Sequence, residues 1–234
     1  MYTNIDNQLN WSAHIEYLVK KLRSAAAVLS RIRHVVPVEH YLKLYHALFE
    51  SHLTYGISVW GGVPNTKIDQ IFTVQKHCIR ILFGDYGAYI EKFCTCARTR
   101  SYENQKLGQQ FFSREHTKPL FNQNQLLVVK NLYHYHCAVE IFKILKFRTP
   151  INLYEMYDKS YREASLLIRT PRPNIQFRYA SSKLWNSIRK KVLSKPDFDL
   201  TTKISYKKEL KALFFFNQKI GDEVEWHPSN FSIS

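Results

Sequence analysis

Glycine is scarce, at seven in 234 residues. A turn-dense all-β fold needs more freely rotating positions than that, so the composition argues for helices. Long apolar runs are also missing. No stretch approaches the ~20 consecutive apolar residues that a membrane-spanning helix requires. Residues 1–10 are polar and lack the apolar centre of a secretion signal. The expectation is an intracellular chain, nucleus or cytoplasm left open, in which Cys78, Cys94, Cys96 and Cys137 stay reduced thiols. Acidic residues are the third shortage: 19 Asp and Glu stand against 34 Lys and Arg, for a net charge of +15. Such an excess repels itself and favours a polyanionic partner, nucleic acid first and an anionic membrane surface second.

Apolar material is plentiful. Hydrophobic residues make up 45% of the chain, with fifteen Tyr and fifteen Phe, enough for one large or two small folded domains and too much for wholesale disorder. The clearest pattern comes first. Trp11, Ile15, Leu18, Leu22, Ala25, Leu29, Ile32 and Val36 are spaced 4-3-4-3-4-3-4, one stripe of a long amphipathic helix. Lys20, Lys21, Arg23, Arg31 and Arg33 fall off that stripe. Asn10 or Ser12 is expected to cap the start and Pro37 to stop it.

A second helix is expected from Pro37 to about Val59, with Leu44 and Leu48 inside and Tyr41 and Tyr45 on a flank. Gly61, Gly62 and Pro64 break it. Asn65 then caps a third helix whose inner face is Ile68, Ile71, Phe72, Gln75, Cys78, Ile79 and Leu82, ending at Gly84. Short connections make these three an antiparallel bundle. Residues 85–119 hold no sustained period beyond a short helix at Glu103 to Phe112. Leu126 to Phe147 is again a long helix, closed by Pro150. Thr170-Pro171-Arg172-Pro173 forces extended backbone, because a residue before proline is pushed out of the helical region. Leu166 to Arg169 and Ile175 to Tyr179 flank it as a β-hairpin-like insertion. Ser181 or Ser182 caps a further helix, and Tyr206 to Phe216 is a last one. The fold class expected is mainly α: a bundle over 1–84, a connector over 85–119, a basic helical unit over 120–220 and a tail over 221–234.

Chemistry-bearing clusters are few. Cys94-x-Cys96 with His116 and Cys137 has one intervening residue where zinc sites typically have two to four, so ordinary thiols are expected and no metal. The histidines of the first three helices form no His-Glu-x-x-His motif. Glu50, Ser51 and His52 are helix neighbours that do not face one another, and no glycine-rich loop cradles a phosphate. No catalytic residue is assigned.

The basic charge is concentrated. Between Lys143 and Lys191 twelve Lys and Arg stand against three acids, whereas residues 1–83 hold nine against five. Tyr154, Tyr157, Tyr161, Phe177, Tyr179 and Trp185 interleave with these cations. Cations tracking phosphates beside aromatic platforms are a single-strand-binding chemistry; a solvated basic face over buried aromatics is the alternative. The candidate nucleic-acid contacts are Arg169, Arg172, Arg178, Lys183, Arg189, Lys190 and Lys191, with Tyr179 and Trp185 as candidate stacking rings.

Several segments carry a resemblance. Ile5-Asp6-Asn7-Gln8-Leu9-Asn10-Trp11-Ser12-Ala13-His14-Ile15 resembles the segment that follows the palm in LINE-type (non-LTR) retrotransposon reverse transcriptases. His52-Leu53-Thr54-Tyr55-Gly56-Ile57-Ser58-Val59-Trp60-Gly61 resembles the segment two helices later. Gln75-Lys76 with Ile79-Arg80-Ile81, then His116 to Phe121, Asn131-Leu132-Tyr133 and Trp185-Asn186 follow in the same order. The resemblance implies a thumb and post-thumb region that grips RNA, DNA or a template–primer, attached to an upstream polymerase domain. The family's palm aspartates have no counterpart here. No Asp-Asp pair occurs in the sequence, so the Mg²⁺ ions of polymerisation would belong to the missing palm and this chain needs no cofactor. The rivals are a self-standing nucleic-acid-binding protein and a basic protein-interaction module without an enzymatic parent.

Overall fold

The computed structural model describes residues 11–84, 117–155, 157, 181–188 and 203–220, with side chains described at 206–215 of the last segment. Of these residues 83% are helical and none lies in a strand. The mainly α class therefore holds for them. The expected hairpin around Pro171 and Pro173, and the helix at Glu103 to Phe112, lie outside the described residues. Two compact units divide the chain: Met1–Tyr55 with Asn65–Val129, and Gly56–Pro64 with Lys130–Ser234.

In the first unit, α1 spans Ser12–Ile32. Its 4-3 spacing works as the sequence predicts. Ile15, Leu18, Leu22 and Leu29 are at most 1% exposed, and Val19 and Ala26 widen the buried stripe. Ile32 and Val36, at the end, are only half-buried. No side chain caps the start. Trp11 occupies the N-cap position in the left-handed region (φ 57°), a conformation costly for a bulky residue. Burial of its indole, set edge-on to the His14 ring, offsets that cost. Ser12, one of the expected caps, instead accepts a hydrogen bond from Lys67 Nζ at 2.8 Å.

Helix α2 is a continuous run of changing pitch: a 3₁₀ turn at Val38–His40, α-helix at Tyr41–Leu44, π-helix at Tyr45–Glu50 and α-helix at Ser51–Thr54. Here the sequence reading is corrected. Leu44 and Leu48 are half-buried, and the core face is Tyr41, Tyr45, Phe49 and Leu53. Four-residue steps drift around a regular α-helix, which holds ~3.6 residues per turn. The wider π turn takes up the drift and keeps all four side chains on one line. Tyr45 and Phe49 stack with centroids 5.4 Å apart. The helix stops at Thr54, earlier than the expected Val59, because Gly56 takes a positive φ (63°).

Helix α4 spans Asn65–Phe83, so Asn65 is its first residue and not its cap. It buries Ile68, Ile71, Val74, Gln75, Cys78, Ile79, Ile81 and Leu82, while Phe72 stays half-exposed. Ser12 meets Lys67 at one end, and Arg33 Nη1 donates to the Ile81 carbonyl at the other. α1 and α4 therefore run parallel, with α2 returning between them: an up-down-up bundle. Ile81 O is one of the carbonyls that a helix end leaves without an internal partner, and Arg33 supplies it. The same guanidinium lies over the Tyr41 ring at 6.0 Å, and Tyr41 OH donates back to the Arg33 carbonyl at 2.6 Å.

Gln75 ties this bundle to the segment that follows α5 (Lys118–Gln123). It is fully buried and its amide is saturated. Nε2 donates to Tyr45 OH and to the Leu127 carbonyl, each at 3.0 Å, and Oε1 accepts from the Val129 amide at 3.0 Å. Val129 opens α6 (Val129–Phe147), so Gln75 caps a helix start from 54 residues away. The helix begins later than the expected Leu126; Leu126 and Leu127 are buried without being helical.

The second unit holds α3 (Ile57–Trp60), α6 from Lys130 on, α7 (Ile151–Glu155), a helical segment at 181–188, and α8 (Lys203–Ile220), longer than expected at both ends. Its core gathers Trp60, Ile57, Cys137, Ala138, Ile141, Phe142, Leu184, Tyr206, Leu210 and Phe214. Tyr206 stacks on Phe142 at 4.0 Å and donates its hydroxyl to the Ala138 carbonyl at 3.3 Å. Gly61 is set hard against the Tyr133 ring and the Ile57 carbonyl, with no room for a Cβ.

Leu22→Ala should lower unfolding free energy by about 2–5 kcal/mol, the range for a buried leucine, whereas Leu48→Ala should cost clearly less. Gln75→Leu should cost at least ~1–3 kcal/mol through the unpaired Val129 amide and Leu127 carbonyl. Denaturant unfolding of the three variants checks both, and a Gln75→Leu midpoint equal to wild type would remove the amide from its structural role.

Candidate nucleic-acid interface

The core stripe of α1 leaves its opposite side in water. Lys20, Lys21, Arg23 and Arg31 all lie there and are exposed. Between Lys20 and Arg31 the helix rises ~16 Å at 1.5 Å per residue, and Glu16 is the only acid on it. Ser24, Ala27 and the exposed Val28 lie between Lys20 and Arg31, and Ser24 folds its hydroxyl back onto the Lys20 carbonyl at 3.1 Å. Lys21 Nζ sits 5.7 Å from the Tyr17 ring centroid.

The stretch from Lys143 to Lys191 divides differently. Arg169, Arg172, Arg178, Tyr179, Arg189, Lys190 and Lys191 lie outside the described residues. Lys183 is half-buried on the 181–188 segment. Trp185 is only 6% exposed and Tyr157 7%, with Tyr157 OH 3.0 Å from Ser181 Oγ. A ring that shows no face to solvent cannot stack on a base, so Trp185 is a core residue and the stacking role is withdrawn for it. Lys143 pairs with Glu140, Lys146 lies over Phe142, and Arg148 over Tyr154. These cations are partly committed to neighbours.

Sequence reading placed a last helix at Tyr206 to Phe216 but stopped the basic stretch at Lys191 and so missed the lysine face of α8. Tyr206, Leu210 and Phe214 bury one side of it, and Lys207, Lys208 and Lys211 are exposed. The signal was legible: a 206-210-214 apolar spacing with lysines between. Each unit thus presents one cationic helix face.

The titratable groups inside serve the core. Burial pushes the Cys78 thiol up, and that of Cys137 to about 12, so neither supplies a thiolate near neutral pH. Burial, with Lys130 nearby, lowers His134 to about 4, and burial lowers His14. Among the described residues no group of three His, Cys, Asp or Glu is placed to hold a metal ion. Cys94, Cys96 and His116 lie outside them.

The six resemblance boxes land mostly on buried positions: Trp11, His14 and Ile15; Leu53, Ile57 and Trp60; Gln75 and Ile79; Leu120 and Phe121; Leu132 and Tyr133; Trp185. Among the described residues they mark packing above all, and the cations they contain, Lys76, Arg80 and Lys118, are half-buried. No protein-family model, curated protein or solved structure matches this chain.

A histidine kept neutral by burial favours folding while it stays neutral. His134 binds its proton near 6.5 when unfolded and near 4 when folded, so its contribution is full above pH 6.5 and is lost as pH falls toward 4. Urea midpoints measured across that window should fall with acid, and His134→Gln should flatten the slope; parallel profiles for both proteins would contradict the assignment.

Proposed function

We propose that this chain is the nucleic-acid-binding thumb and post-thumb part of a LINE-type reverse transcriptase, gripping RNA or a template–primer through phosphate contacts. The observation that carries the reading is the solvent face of α1, where Lys20, Lys21, Arg23 and Arg31 stand exposed with one acid beside them. The six ordered boxes supply the family. The net charge of +15 and the lysine face of α8 agree with a polyanionic partner.

Cations on a helix face displace the counterions condensed on nucleic acid, and that release drives binding. Lys20, Arg23 and Arg31 touch phosphate and sugar, so the grip follows backbone shape and charge and carries little base information. The basic residues Arg169, Arg172, Arg178, Lys183, Arg189, Lys190 and Lys191 add contacts from the post-thumb part. No step of catalysis falls to these residues. The sequence holds no aspartate pair for the two metal ions of phosphoryl transfer, and RNA-directed DNA synthesis belongs to the intact parent.

Fluorescence anisotropy with a duplex at rising salt tests the reading. The log–log slope should be about −0.7 to −0.9 per phosphate contact, and Lys20→Ala, Arg23→Ala and Arg31→Ala together should flatten it by roughly 2 to 3. These residues are exposed, so the fold should survive; circular dichroism checks that. Weak binding at low salt, or competition by an acidic protein and not by RNA, would shift the assignment to a protein-interaction module. Primer extension on an RNA template should yield no product from this chain alone.

A further inference from the structure

The α1–α2 turn presents the most exposed large hydrophobic residues of the described structure: Val35 is 84% and Val38 71% exposed. Both are β-branched, with χ1 already restricted, and Pro37 between them fixes its own φ at −59°. The base of the turn is fastened. Val35 and Val36 amides donate to the Ile32 carbonyl at 2.9 and 3.1 Å, and the His40 amide to the Pro37 carbonyl at 3.0 Å. Arg33 is held by the Ile81 carbonyl and the Tyr41 ring, and Tyr41 by the Arg33 carbonyl. A stiff apolar tip of this kind loses little freedom when it inserts.

Its surroundings select the partner. Arg31, the last cation of the α1 face, is exposed one turn before the tip, and Lys43 is exposed one turn after it. Glu39 is the only acid from Arg31 to Lys43. A helix that tracks phosphates through Lys20, Arg23 and Arg31 therefore delivers an apolar point at its leading end, collared by positive charge. Base steps in a shallow groove offer that combination: anionic edges around an apolar stack that side-chain wedges part.

We propose that Val35 and Val38, stiffened by Pro37, form a wedge that inserts between base steps of a bound duplex and distorts it. The inference rests on the nucleic-acid reading of the α1 face. It assigns the turn a task separate from charge: marking where along the duplex the grip settles, with preference for steps that unstack easily.

The test uses the full 234-residue chain, a duplex carrying 2-aminopurine at successive positions, and the variant Val35→Ser/Val38→Ser. Wild type should raise 2-aminopurine fluorescence at one or two adjacent positions and bind a duplex with a central mismatch more tightly than a perfect one. The double variant should abolish the fluorescence rise and the mismatch preference, and weaken binding about a hundredfold or more, the scale of two buried valine side chains returned to water. The salt slope should stay unchanged, because no phosphate contact is removed. Both side chains lie in solvent, so an unchanged unfolding midpoint is expected. Tight binding with no fluorescence change overturns the wedge and leaves the charge-based grip standing. Failure of wild type to bind duplex at low salt overturns both. Loss of binding to phosphatidylserine vesicles in the double variant, with duplex binding intact, overturns the wedge in favour of a lipid surface.

Discussion

The buried amide of Gln75 is the constraint on which the first unit depends. It uses both protons and its carbonyl on groups from three separate stretches: the Tyr45 hydroxyl, the Leu127 carbonyl and the Val129 amide. An apolar side chain at this place would leave a helix start and a loop carbonyl dry and unpaired. A carboxylate would face the Leu127 carbonyl with no proton to give. Tyr45 in turn sits in the π-helical stretch of α2, so the amide also fixes which residues of α2 look inward. One side chain thereby sets the register between α2, α4 and the start of α6.

Much of the helical architecture was legible because burial follows spacing. The 4-3 stripe of α1 names its own core, and Gly84 and Pro150 mark ends that the structure keeps. The α2 face was not legible. Leucines are the usual core choice, and Leu44 and Leu48 fit α-helical spacing, but a π turn lets Tyr41, Tyr45 and Phe49 take the inside. Nothing in the local sequence announces that turn; it exists because the neighbouring helices accept the aromatic rings. Gln75 was legible as an inward position and not as a cap, since its partners lie more than 50 residues away along the chain in two of three cases.

The candidate interface was harder to read for a related reason. Packing leaves strong periodic marks and surface charge does not. Counting charge in a linear window gave weight to residues 143–191, yet Trp185 in that window is buried, and exposed lysines on α8 fall beyond it. The α1 cations were visible as residues off the apolar stripe, which is a statement about direction and not density. Direction relative to a buried stripe is the better guide to where a helix meets a polyanion.

The π-helical stretch Tyr45–Glu50 has a further consequence. It stores chain length sideways. The π turn holds one residue more than an α turn over the same stretch, so removing a single residue between Tyr45 and Phe49 would return it to ordinary α pitch and change the Tyr41, Tyr45, Phe49, Leu53 spacing from 4-4-4 to 4-3-4 with the same face inward. Leu53 would stay in the core. Losing a second residue would rotate everything after it by about 100°, the angle per residue of an α-helix. The run from Tyr41 to Leu53 therefore tolerates the loss of one residue and no more, and a homologous chain one residue shorter there should keep the same core line on an unbroken α-helix.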